Sequence, residues 1–105
     1  MKLSVRSLAS ICILASFISP ALAQDAADVY TAKCKMCHGA DGLGNTPAGK
    51  IAKIVSFKDP SVVNAPDGDL TPVIKNGKNK MPAFAGKLSD DQIGSLVAYI
   101  RTLQK

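Results

Sequence analysis

The chain has 105 residues, 13 basic against 8 acidic side chains, a formal net charge of +5, one His, three Cys and no Trp. That length holds one domain at most. Without Lys2 and Arg6 of the N-terminal segment, 11 basic against 8 acidic side chains leave +3, too small a balance for a nucleic-acid footprint. There is no glutamate, no pair of catalytic carboxylates and no nucleophile beside a base, so nothing marks an organic-substrate site, and an enzyme is not expected.

Residues 1–23 read as a signal peptide cleaved after Ala23. Lys2 and Arg6 come first, an apolar run from Leu8 to Ile18 follows, and Pro20 precedes Ala21, Leu22 and Ala23. The run is well short of the ~20 apolar residues a spanning helix requires, which argues against an uncleaved anchor. Ile11 ahead of Cys12 does not suit a lipoprotein cut. The remaining domain, residues 24–105, is therefore expected in the periplasm with no membrane span. It has only Tyr30, Phe57, Phe84 and Tyr99 as aromatics. Domains this small often depend on a disulfide, a metal or another bound group.

A helix is expected from Asp25 to about Lys35, where Ala26, Ala27 and Ala32 permit close helix contact. It leads into Cys34-Lys35-Met36-Cys37-His38. A disulfide between two cysteines this close would close a loop too short to stabilise much. A thioredoxin-like pair belongs in a βαβ context that is missing here. Structural zinc needs four ligands, typically from two separated pairs, and there is no second cluster. Covalent haem attachment explains the whole pattern. Two thiols about one helical turn apart can add to vinyl groups on neighbouring pyrroles, and the next residue then lies beneath the ring, where an imidazole reaches the iron. Cys34 and Cys37 are thus the expected attachment points for one haem c, and His38 an axial ligand.

In the following loop Gly44–Lys50 matches G-x-x-x-x-G-K, but Ile51 stands where Ser or Thr should hold magnesium and no strand precedes it. Lys50 to about Val55 suggests a short helix. "DLTPVIKN", Asp69 to Asn76, suggests another, stopped by Gly77 and starting near Asp69 so that Pro72 falls in its first turn. No strand pattern is found. The sixth iron position has Met36, Met81 and lysines as candidates, since there is no second His. Met36 lies inside the attachment turn and cannot reach the opposite face. Met81 is the better choice, because Pro82 holds it in an extended conformation, although core filling is the usual fate of a Met. With both axial positions taken the site would transfer single electrons. With Met81 labile it would instead act as a small-ligand sensor or a peroxidase-like centre.

At the C-terminal end Ser89 and Gln92 form a capping box, with Asp90 and Asp91 at the positive end of the helix dipole. Ile93, Leu96, Val97, Ile100 and Leu103 then repeat at helical spacing, and Tyr99 on the flank is placed to meet the first helix.

"CKMCH", the Met-Pro of "NKMPAFAGKLSDDQIGSLVAYI" and the terminal helix resemble the small bacterial class I monohaem cytochromes c over nearly all of residues 24–105. The resemblance implies an all-α fold of three to five short helices around one haem, with the first and last helices crossing. It also implies Met81 as the sixth ligand, and a proline carbonyl, here Pro47, accepting a hydrogen bond from His38. Its partners would be redox proteins. Lys33, Lys35, Lys75, Lys78 and Lys80 could border the haem edge and steer acidic ones, and the carrier is expected to be a monomer.

Overall fold

The computed structural model describes residues 20–105; most of the expected signal peptide, residues 1–19, lies outside them. Local sequence chemistry sets where each helix starts. α1 (Pro20–Lys33) begins on a proline, and α2 (Lys35–His38) is a single turn continuing from it, with Cys34 between them. α3 (Pro47–Ala52) starts where the Thr46 hydroxyl accepts from the Gly49 N–H, with Pro47 as its first residue. α4 (Pro60–Val63) repeats the device with Asp59, whose Oδ1 accepts from Ser61 N and Oγ at 2.9 and 2.7 Å. α5 (Asp67–Asn76) follows Pro66, and α6 (Asp90–Thr102) carries the Ser89/Gln92 capping box.

The fold is all-α. Among the described residues the extended pairings are isolated bridges, Lys78 with Met81 and Ala85 with Leu88. Among the described residues six helices form where three to five were expected, two of them single turns. Three expected boundaries move. α1 runs from Pro20 to Lys33 rather than from Asp25 to about Lys35. The helix expected at Lys50–Val55 lies three residues earlier, because the Thr46-Pro47 cap sets its start and Lys53 ends it in the left-handed region at φ 54°. α5 begins at Asp67 rather than Asp69, so Pro72 falls inside the helix and not in its first turn. A proline there loses a helical hydrogen bond. Tertiary contact offsets the loss. Arg101 on α6 donates from Nε to Asp67 Oδ1 at 2.9 Å, from Nη1 to Val62 O at 3.0 Å, and from Nη2 to Ala65 O.

The core lies between α1, α5 and α6. Ile93, Leu96, Val97 and Ile100 turn inward from α6, meeting Ala26 and Tyr30 of α1 and Ile74 of α5, all buried. Each buried Ile, Leu or Val side chain contributes about 1.5–3 kcal/mol. Tyr30 and Tyr99 lie 5.1 Å apart between ring centroids, so Tyr99 meets the first helix as expected. α1 and α6 pack on each other, and α5 packs on α6. The three form one wall of a large cavity, and α2 with the chain after α3 supplies another.

Candidate cofactor site

The attachment turn is fixed by backbone chemistry on three sides. His38 N donates to Cys34 O at 2.9 Å and Gly39 N to Lys35 O at 2.8 Å, which closes α2. The buried Tyr30 hydroxyl donates to Gly39 O at 2.6 Å. Burial, then the neighbouring Cys34, Tyr99 and Asp41, pushes the Tyr30 phenol well above its usual range, so it stays a donor. From the other side the Thr46 hydroxyl donates to Cys37 O at 2.8 Å. Gly49 packs so closely that a Cβ would strike the carbonyls of Cys37 and Gly44. Sequence reasoning missed Thr46 and Gly49, although Thr-Pro followed by Gly two residues later is a helix start that could have been read.

Both thiols are free. Burial, with Cys37 beside it, pushes the Cys34 thiol up to about 11, so it is protonated at neutral pH. His38 stacks on Phe57, with ring centroids 4.7 Å apart and planes 22° from parallel. Burial pushes its imidazole below the ordinary range, which favours the neutral form that donates a lone pair to a metal. Phe57 is a site residue that no local motif marked.

His38 Nδ1 is buried and has no hydrogen-bond partner among the described residues. Pro47 heads α3, and a carbonyl in the first helical turn points along the helix toward its own C-terminus.

Cys34, Cys37, His38 and Met81 all line a single cavity of about 620 Å³, within the size range of cofactor pockets. Most of the remaining lining is apolar, with Leu70 and Ile74 of α5, Leu96 and Ile100 of α6, and Ile54 and Phe57 on the far side. The set fits a haem: two free thiols, an imidazole, a thioether and a greasy slot. It does not fit zinc, because among the described residues no three His, Cys, Asp or Glu side chains converge as a metal cage.

Over residues 21–100 the chain matches the family described as cytochrome C oxidase, cbb3-type, subunit III. It is 36% identical over 88 residues to cytochrome c6 of Nostoc sp. (strain PCC 7120 / SAG 25.82 / UTEX 2576), covering 81% of this chain and 77% of that one. It is also 36% identical over 102 residues to cytochrome c6 of Synechococcus sp. (strain ATCC 27167 / PCC 6312), covering 93% and 88%. Among solved structures the KustC0563 c-type cytochrome is similar, with a TM-score of 0.70 at 28% identity, covering 76% of this chain and 98% of that one. The chain belongs to the small class I monohaem c-type cytochromes. This cytochrome therefore binds haem c covalently and is an electron carrier acting with redox partners.

The predicted lysines separate. Lys33, Lys78 and Lys80 are exposed and line the cavity of the cytochrome. Lys53, which sequence reasoning passed over, joins them there. Lys35 is exposed on α2 away from the lining. Lys75 is drawn off by Asp90, 3.0 Å away. No helix of the described residues is long and apolar enough to cross a membrane.

Proposed function

We propose that Cys34 and Cys37 would hold the haem through thioether bonds, that His38 and Met81 would ligate its iron, and that the mature protein carries single electrons in the periplasm. The observation that supports this most is that one cavity is lined by all four side chains. Nδ1 of His38 is buried although the ring borders an open cavity, so Nε2 is the nitrogen offered to the iron. Haem supplies a one-electron centre, and a polarisable thioether favours its reduced state. The chain's own part is to exclude water with Leu70, Ile74, Leu96 and Ile100, and to keep the His38 ring fixed against Phe57. A low-dielectric surround further disfavours the extra charge of the oxidised form. Export rests on the signal-like residues 1–23.

Carbon monoxide tests whether both axial positions are occupied. The native ferrous protein is expected to bind it slowly or not at all. Rapid binding would instead establish a labile sixth ligand and the sensor or peroxidase-like reading.

Lys33, Lys53, Lys78 and Lys80 are exposed and line the cavity, as do Met36 and Val55, which are 77% and 53% exposed. Exposed lysines beside exposed apolar side chains suit a redox partner presenting acidic groups around a small apolar patch. Electron exchange with an acidic partner should slow as ionic strength rises, since surface charges are screened over ~10 Å at 0.1 M. A rate independent of salt would remove the steering role.

A further inference from the structure

Gly77 ends α5 at φ 74° and ψ 169°, a backbone region open to essentially no residue but glycine. A Cβ placed there would lie 2.6 Å from Met81 O and 3.0 Å from both Ala83 N and Pro82 C. All three are backbone atoms, so none can rotate aside. The close approach is held from two directions. Lys78 N donates to Met81 O at 3.2 Å and Met81 N to Lys78 O at 2.9 Å, closing a two-residue turn in which Asn79 sits at φ 54°. Downstream, Phe84 N donates to Ile74 O and Ala85 N to Lys75 O, each at 3.0 Å. Phe84 and Ile74 are both buried and belong to the same core cluster. The Met-Pro segment is thus folded back onto the end of α5, with Gly77 where the two backbones touch.

We propose that Gly77, together with the turn at Asn79, is a positioning device for Met81: it sets how closely the thioether can approach the iron and how firmly it stays there. The inference rests on Met81 being the sixth ligand. A side chain at 77 would push the Met81 carbonyl away, break the Lys78 pairing and carry the sulfur with it. Gly77 lies just past the last residue of α5, which it caps through its N–H to Val73 O at 2.9 Å, and the attachment turn lies elsewhere.

The test uses the haem-loaded protein. Gly77→Ala is expected to lose the thioether-to-ferric-iron charge-transfer band and to bind carbon monoxide at least tenfold faster when ferrous. Its potential should fall by about 59 mV for each tenfold by which the ferrous state loses thioether affinity relative to the ferric. Helical content and covalent haem content should stay native. Asn79→Gly, which tolerates positive φ, should keep the band, whereas Asn79→Val should weaken it. If Gly77→Ala fails to fold, the contrast at Asn79 decides: a difference supports the device and native behaviour in both overturns it. A native band in Gly77→Ala, with the band lost in Met81→Ala, refutes the positioning role and leaves the ligand standing. An unaltered band in Met81→Ala overturns both.

Discussion

Replacing Met81 with alanine is expected to convert a closed haem into an open one. The ferrous variant should bind carbon monoxide rapidly, the thioether band should vanish from the ferric spectrum, and the potential should drop by roughly a tenth of a volt or more, a modest share of the ~0.8 V over which axial ligands set haem potentials. The direction follows from ligand softness. A thioether binds the reduced ion preferentially, so its loss favours the oxidised one. Met81 sits in a loop, half-buried and packed on the edge of the core, so helical content should barely change. Titration of the potential alongside the spectrum separates loss of the ligand from general loosening, which would lower the potential without opening the site. An unchanged spectrum would assign the sixth position to another residue, with Lys78 and Lys80 next to be tested because both border the cavity.

Arg101→Ala should be among the most destabilising single changes outside the core, costing about 2–4 kcal/mol. Its guanidinium satisfies Val62 O, Ala65 O and the Asp67 carboxylate, and its side chain is only 25% exposed. Hydrogen bonds to a charged donor contribute about 1.5–3 kcal/mol, and the Ala65 carbonyl, left without a partner, adds its own desolvation, whereas Val62 O keeps its bond from Ala65 N. Asp67 contributes little of this. Its side chain is 70% exposed, and exposed ion pairs are worth about 0–1 kcal/mol, so Asp67→Asn should be nearly neutral. Guanidinium denaturation of the two variants gives the comparison, with a lowered midpoint at unchanged slope expected for Arg101→Ala alone. Equal losses would mean that the ion pair, and not the carbonyl bonds, holds α4 and the start of α5.

What could be read from the sequence was what neighbouring residues decide together. The capping box at Ser89 and Gln92 and the stripe Ile93, Leu96, Val97 and Ile100 lie within one helix, and all appear as expected. The Cys34, Cys37 and His38 spacing belongs to the same class, since a few adjacent residues carry the chemistry. Misplacements arose where distant residues intervene. α5 starts at Asp67 because Arg101, far along the chain, bonds Val62 O and Ala65 O just ahead of it, which outweighs the local argument from Pro72. Phe57 became a site residue because folding stacks it on His38, and nothing in "SFKDP" announces that. The role expected of Pro47 comes from family likeness and from no local signal.

The ring behind His38 also bears on the order in which the molecule assembles. Phe57 donates its N–H to Gly42 O at 2.9 Å, and its carbonyl accepts from Gln104 Nε2, also at 2.9 Å, one residue from the end of the chain. The attachment turn needs only partners between Tyr30 and Gly49. Contacts that close short loops form ahead of those that close long ones. A chain emerging N-terminus first therefore presents its two thiols and imidazole while the support behind them, and the α5–Met81 arm, are still being made. The contacts of the tether are thus complete without the last helix, whereas the support behind His38 waits on Gln104.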